Sequence, residues 1–192
     1  MSEFRRRQMM AAGIPSIKPI QIYRNGDFAN GVSDWVQYNA SNGSLSASDG
    51  ELTYTVISPK NNQYGNKIKN SNLQNIGVKA GRVYYCSAYI WMPMSGSVSF
   101  FYEAGGKESI TASAGWNRYQ RIYTYSSDHT SNLIGVNSMS GWSVGDKYIL
   151  KNVVLIDLTQ TFGAGNEPDL STCVLLFPDD YYEYYIPNGY NQ

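Results

Sequence analysis

The chain carries 15 Lys and Arg against 15 Asp and Glu over 192 residues, so its net charge is zero and its charged fraction only 16%. No global basic field exists to hold nucleic acid or an anionic membrane, and no run approaches the roughly 18 apolar residues of a membrane span, so neither nucleic-acid binding nor membrane insertion is expected. The length fits one β-sandwich domain with a true hydrophobic core.

Aromatics make up 14% of the residues and 17 of them are Tyr, alongside abundant Gly, Ser, Thr and Asn, a mixture that favours strands and turns over helices. Cys86 and Cys173 are too few and too far apart for a disulfide framework or a zinc cluster, and are expected as free thiols, with one bridge between them as the alternative.

Residues 1–22 stand apart as an extended arm. Phe4, Arg5, Arg6 and Arg7 are followed by Met9 and Met10, and Pro15 and Pro19 favour extended backbone. The apolar stretch after the arginines is too short and too broken by Gly13 and Pro15 for a signal-peptide core, so release by lysis, or no release, is expected. An arm with so little to bury is expected to dock on a partner protein through Phe4, Arg5, Arg6, Arg7, Met9 and Met10, the methionines serving as adaptable apolar contacts.

From Tyr23 to residue 176, strand-like runs alternate with turn clusters at sandwich spacing: 51–58, 83–92, 97–103, 107–112, 116–125, 131–137 and 147–157. Turns fall at Asn42-Gly43, Asp49-Gly50, Lys79-Ala80-Gly81, Gly105-Gly106 and Gly145-Asp146, and the one helical candidate is a short turn after Pro168. Residues 177–192 form a Tyr-rich C-terminal segment, alternating through Tyr182, Tyr184 and Ile186, that closes the sandwich, pairs with a neighbour or is itself an epitope.

Successive strand residues point to opposite sides. In 83–92, Cys86, Ala88 and Ile90 share one side and Tyr85, Ser87, Tyr89 and Trp91 the other; in 116–125, Tyr119, Arg121, Tyr123 and Tyr125 lie opposite Trp116, Arg118, Gln120 and Ile122. Tyr85, Tyr89 and Trp91 with Tyr119, Arg121 and Tyr123 are therefore the candidate ligand face, with Asn117 and Gln120 as further hydroxyl partners. By base rate such a face is more often a sandwich wall or an oligomer interface than a ligand groove, and of the four tryptophans Trp35, Trp116 and Trp142 fit core plugs best.

Catalytic machinery is scarce. His129 is the only histidine and lies in a polar loop; carboxylate pairs such as Glu103 with Glu108 are weak; no H-E-x-x-H helix is present; and 163–168 lacks the lysine and helix of a phosphate loop. A non-enzymatic protein is expected.

Two motifs, NGDFANGVSDW at 25–35 and KNVVLIDLTQTFGAGNEPDL at 151–170, resemble the carbohydrate-binding-module-like jelly rolls of bacteriophage virion proteins, particularly of tails and fibres. That family opens on N-G-D-F…G…W and closes on N-V-x-L-x-D-L-T running into F-G-x-G-N-E-P, and GWNRYQRIYTY at 115–125 is similar to its penultimate sheet strand. The resemblance covers roughly Tyr23 to Asp169. It implies a jelly-roll β-sandwich displayed on a virion made in the host cytoplasm, in contact with other virion proteins through the arm, and using the sandwich on host-surface polysaccharide. The alternative it leaves is a purely structural connector or decoration whose Tyr face packs a symmetric partner in a homo-oligomer. Related jelly rolls often hold a structural Ca²⁺ near the opening motif and the final strand, where Asp27 and Asp157 match; turn capping by Asp27 and an ordinary surface Asp157 is the competing reading. Because the module makes up most of this chain, a head fibre, capsid decoration or small adaptor suits it as well as a tail tip.

Overall fold

A computed structural model describes residues 18–61, 66–102, 109–177, 182–188 and 190. The arm residues Phe4, Arg5, Arg6, Arg7, Met9 and Met10 lie outside the described residues.

Two antiparallel five-stranded sheets face each other. Sheet I has the order β2 (Gly43–Ser48), β3 (Glu51–Val56), β10 (Lys147–Asp157), β5 (Val83–Met92), β8 (Gly115–Thr124). Sheet II has the order β1 (Trp35–Gln37), β4 (Asn66–Asn70), β9 (Leu133–Val136), β6 (Gly96–Tyr102), β7 (Ser109–Ala112). The fold is an all-β jelly-roll sandwich. Among the described residues three short helices punctuate it: α1 (Leu73–Ile76), α2 (Leu158–Phe162) and α3 (Leu170–Leu176), the last starting where a turn after Pro168 is expected.

Alternation builds the core. Leu52, Tyr54 and Val56 of β3, Cys86, Ala88, Ile90 and Met92 of β5, and Tyr148 and Leu150 of β10 point inward against Ile68, Val98, Phe100, Ile134 and Val136 of sheet II. Each such Leu, Ile, Val, Met or Phe side chain, fully buried, contributes roughly 1.5–3 kcal/mol through area removed from water. Tyr148 stacks on Tyr54 at 4.9 Å and 9°, and its hydroxyl crosses the sandwich to donate to the Asn66 carbonyl at 3.0 Å. Gly135 makes room for that hydroxyl: its φ is 140°, and a Cβ there would lie 2.7 Å from the Tyr148 oxygen.

β2 and β3 form a hairpin whose two-residue turn, Asp49 (φ 53°) and Gly50 (φ 76°), has the positive backbone angles that match strand twist. Asn42-Gly43 is not a turn of the same kind. Gly43 begins β2, and a Cβ there would sit 2.2 Å from the Tyr54 ring, so the glycine serves close packing. β1, β2 and β4 have no counterpart among the sequence-predicted strands: GSLSAS and NKIKN are rich in residues that read as loop, and sheet pairing overrides that preference.

The boundary drawn between arm and sandwich at residue 22 falls inside the fold. Ile20 and Ile22 are buried, the Ile22 N–H donates to the Leu155 carbonyl at 2.9 Å, and Gln21 bridges Ile156 beside the second half of β10. The C-terminal segment continues this edge: the Tyr185 N–H donates to the Gln21 carbonyl at 3.2 Å, Lys18 sits 3.7 Å over the Tyr185 ring and Arg24 4.5 Å over that of Tyr184. In the described residues, then, this segment closes the sandwich.

A second apolar cluster lies on the outer face of sheet I, where α2 and α3 cover Tyr85, Val154 and Ile156 with Leu158, Cys173, Leu176 and Phe177. Cys86 belongs to the inner core and Cys173 to this outer cluster, with the sheet between them; both are buried thiols and no disulfide joins them.

Candidate functional site

Register decides which side chains share a face. β8 pairs with β5 so that Trp116, Arg118, Gln120 and Ile122 stand opposite Trp91, Tyr89, Ser87 and Tyr85, while Asn117, Tyr119, Arg121 and Tyr123 stand opposite Ile90, Ala88, Cys86 and Tyr84. Directly opposed residues of an antiparallel pair project from the same side. The six-residue candidate face therefore splits in two. Tyr119, Arg121 and Tyr123 point inward: Tyr119 stacks on Phe100 of sheet II at 4.7 Å and 4°, and the buried Arg121 guanidinium lies 4.3 Å from the Tyr123 ring. Their place on the ligand face is corrected by the pairing of two strands that are not neighbours in sequence.

Tyr85 is on the outer face but only 1% exposed, tilted against Phe177 at 5.6 Å beneath α3, with its hydroxyl accepting from Gln120 Nε2 at 2.6 Å. Burial there pushes its phenol up, and it too leaves the candidate surface.

What remains of the candidate face is Tyr89 and Trp91, and the register adds Trp116, Arg118, Ile149 and Lys151. One row crosses all five strands: Ser46, Thr53, Ile149, Trp91 and Trp116 are successive partners. The next row carries Lys151, Tyr89 and Arg118. Trp116 is 42% exposed, against its expected role as a core plug, whereas Trp35 and Trp142 are buried as expected. Lys151 Nζ stands 4.0 Å over the Trp116 ring and 5.7 Å over that of Tyr89, and Arg118 lies 5.2 Å from the Tyr89 ring. A bulge between Lys151 and Val154, with Asn152 at φ 50°, inserts one residue so that both point outward. Trp116, Arg118 and Lys151 escape sequence reasoning because alternation gives parity within a strand but not the relative parity of strands separated by a hairpin.

Both family-like motifs do structural work. Asn25 (φ 50°) organises the first: its side-chain amide donates to the carbonyls of Gly31 at 2.9 Å and Ser33 at 2.7 Å, its side-chain oxygen accepts from the Asn30 N–H, and its backbone carbonyl accepts from Trp35 Nε1 at 2.8 Å. Trp35 in turn packs edge-on to Tyr23 and tilted to Phe28. In the second, Asp157 caps α2 by accepting from the Gln160 N–H at 2.9 Å, Asp169 caps α3 by accepting from the Thr172 N–H at 2.7 Å, and Thr159 accepts from the Val83 N–H and donates to Glu167 at 2.7 Å. These hydrogen bonds draw the Asp169 and Glu167 carboxyls below their ordinary values.

The Ca²⁺ expectation does not fit these residues. Asp157 is fully buried, one carboxylate oxygen holding the Gln160 N–H and the other accepting from Arg82 at 3.1 Å and from the Tyr190 hydroxyl at 2.6 Å. Burial followed by the Asp157 charge pushes the Tyr190 phenol far up. Asp27 accepts from the Ala29 N–H in its own turn at 3.3 Å, and no group of three or more His, Cys, Asp or Glu stands together among the described residues. His129 bridges Val78 through its backbone and meets Ser127 Oγ at 2.8 Å, while the adjacent Asp128 accepts from Lys79 and the Ala80 N–H. That arrangement is a tied loop, its carboxylate engaged by Lys79 and Ala80 and its imidazole by Ser127.

No family model and no curated protein matches the chain. Solved structures do. A CBM4 structure superposes with a TM-score of 0.52 at 14% identity over 70% of this chain and 99% of its own. An arabinose-bound α-L-arabinofuranosidase gives 0.55 at 15% identity over 74% of this chain, which spans only 27% of that protein. A family 29 carbohydrate-binding module from Piromyces equi gives 0.45 at 13% identity, over 74% of this chain and 92% of its own. The likeness to the CBM4 structure defines the class at the level of fold: a β-sandwich of the kind that this carbohydrate-binding module adopts.

Proposed function

We propose that this chain is a non-catalytic glycan-binding domain of a phage virion, anchored through residues 1–17 and presenting the open half of the outer face of sheet I to host-surface polysaccharide. The observation that carries the reading is the juxtaposition of Tyr89, Trp91 and Trp116 with Arg118 and Lys151 on one sheet face that no described element covers. Aromatic rings take the C–H faces of sugars, and flanking donors take hydroxyls. The fold likeness to carbohydrate-binding modules supports sugar as the ligand; the resemblance of 25–35 and 151–170 to virion modules supports the particle as the location.

Retention on host capsular polysaccharide falls away in Tyr89→Ala and Trp91→Ala variants that keep the wild-type unfolding midpoint; retention unchanged in both rejects this face. Deleting residues 1–17, which spares the buried Ile20 and Ile22, abolishes incorporation into particles, and retained incorporation removes the anchoring role. A structural connector is the second reading, favoured by Leu170 and Leu175, which stay exposed on α3 and offer apolar surface to a neighbour. It requires a concentration-dependent oligomer that Leu175→Glu dissociates while glycan retention is absent.

A further inference from the structure

Of the three rings on the open half of sheet I, Trp116 is the most exposed, and it stands on β8, the last strand of the sheet, where an indole can swing off the edge as readily as lie across the face. Gly115, at φ 90°, precedes it and offers no side chain to brace it. Among the described residues neither a hydrogen bond nor a ring–ring contact holds this indole. Trp35 differs: its Nε1 donates to the Asn25 carbonyl and its ring packs on Tyr23 and Phe28. What meets the face of Trp116 is the Lys151 ammonium, 4.0 Å from the ring centroid.

β10 and β8 are two interstrand steps apart, about 10 Å, with β5 between them. Lys151 also stands one row away from Trp116, opposite Tyr89 rather than Trp91. The gap closes only because the indole leans inward over β5 and the lysine leans out to meet it. Lys151 is the last regularly paired residue of β10 before the bulge, and it enters no ion pair among the described residues, so its charge is not committed to a carboxylate there. A cation–π contact at an exposed site favours the ring orientation that keeps it by roughly 2- to 5-fold. An indole has two faces, and with the ammonium against one the other is left as a stacking platform. A ring already held in its bound orientation loses less freedom when a ligand arrives.

We infer that Lys151 is a positioning residue for glycan binding: it holds the Trp116 indole across β5 as a platform and acts on the ligand through that ring. This part for Lys151 rests on the glycan-binding reading above and is distinct from that of a hydroxyl donor.

The test compares the full wild-type chain with Lys151→Met, which keeps the length and removes the charge, and Lys151→Arg, which keeps a cation that aromatic rings accept. In ligand-free Lys151→Met the Trp116 indole N–H loses order in its heteronuclear NOE while that of Trp35 keeps it, and the urea midpoint stays at the wild-type value. Retention of that variant on host capsular polysaccharide in affinity electrophoresis weakens about 3-fold. Lys151→Arg keeps both the order and the retention. In the Trp116→Ala background, Lys151→Met weakens retention no further, as expected of a residue that works through the ring. An indole that keeps its order in Lys151→Met, or retention that is unchanged or stronger in that variant, overturns the inference and leaves the glycan-binding face standing. A further loss in the Trp116→Ala background does the same, because Lys151 then touches the ligand itself. Lys151→Arg behaving like Lys151→Met also overturns it, since charge is then not what holds the ring. A wild-type chain that retains no host polysaccharide removes the glycan-binding reading and the role of Lys151 with it, whatever the order of the indole.

Discussion

The outer face of sheet I is woven from β5, β8 and β10 along its whole length, yet its two halves have opposite fates. Toward Val83 and Asp157, α2 and α3 fold back over the strands and seal Tyr85, Val154 and Ile156 under Leu176 and Phe177. Toward Met92 and Lys147, no described element covers Tyr89, Trp91 and Trp116, and cations rather than apolar groups lie on the rings. An aromatic on a strand thus becomes core or surface by what the chain does after the sheet is complete. Tyr85 and Tyr89 differ by four residues and share a side, and only the position of α3 separates their roles.

Breaking the covered half should cost most. Asp157→Ala removes the α2 cap, leaves Arg82 without its carboxylate at 3.1 Å and frees the Tyr190 hydroxyl, for an expected loss of ~3–5 kcal/mol in urea unfolding. Tyr85→Ala, which opens a cavity beneath Phe177, should cost about 3–4 kcal/mol while acting on no ligand directly.

Next in size is alkaline sensitivity. Burial pushes Tyr54 and Tyr84 up to about 12 and raises Tyr85, Tyr125 and Tyr148 as well. A phenol whose folded value lies above its unfolded value of roughly 10 favours the folded state fully below that unfolded value. The contribution is lost as pH rises through the folded value. The unfolding midpoint should therefore hold up to about pH 10 and fall between about pH 10 and 12, in step with tyrosinate absorbance. A midpoint that stays level across that window would mean that these rings are wet.

The open half should barely register in stability. Trp116→Ala, at a residue already 42% exposed, is expected to change the unfolding free energy by less than about 1 kcal/mol while weakening glycan retention. Smallest of all is the response to a chelator: with both Asp157 oxygens engaged by Gln160, Arg82 and Tyr190, excess EDTA should leave the melting temperature where it was. A chelator-dependent drop would reinstate a structural metal.

Much of the fold is legible in the residues. Strands 83–92 and 147–157 match their expected limits, and the inward set Cys86, Ala88 and Ile90 follows from alternation alone. The Asp49-Gly50 turn is legible because few other pairs adopt two positive φ values so readily. β2 and β4 were hidden, since Ser, Gly, Lys and Asn take strand conformation there only because sheet pairing demands it: β4 lies between β1 and β9, and β2 runs along the sheet edge against β3. The candidate site was half legible. Tyr89 and Trp91 emerge from one strand's parity, but joining them to Tyr119, Arg121 and Tyr123 presumes a register that β6 and β7, lying between β5 and β8 in sequence, leave free. With the observed register, Arg118 and Trp116 take those places. The two motifs most like a known family marked caps, a bulge and a Trp anchor, features of the frame rather than of the candidate face.

The four tryptophans offer the most direct test, because two belong to the open face and two to the interior. In the indole N–H spectrum of the full chain titrated with host-surface polysaccharide, Trp91 and Trp116 should shift. Trp35, bonded to the Asn25 carbonyl, and buried Trp142 should stay in place. Binding that leaves Trp91 and Trp116 unmoved, or that moves Trp35 and Trp142 instead, would contradict the assignment of the open half of sheet I as the recognition surface.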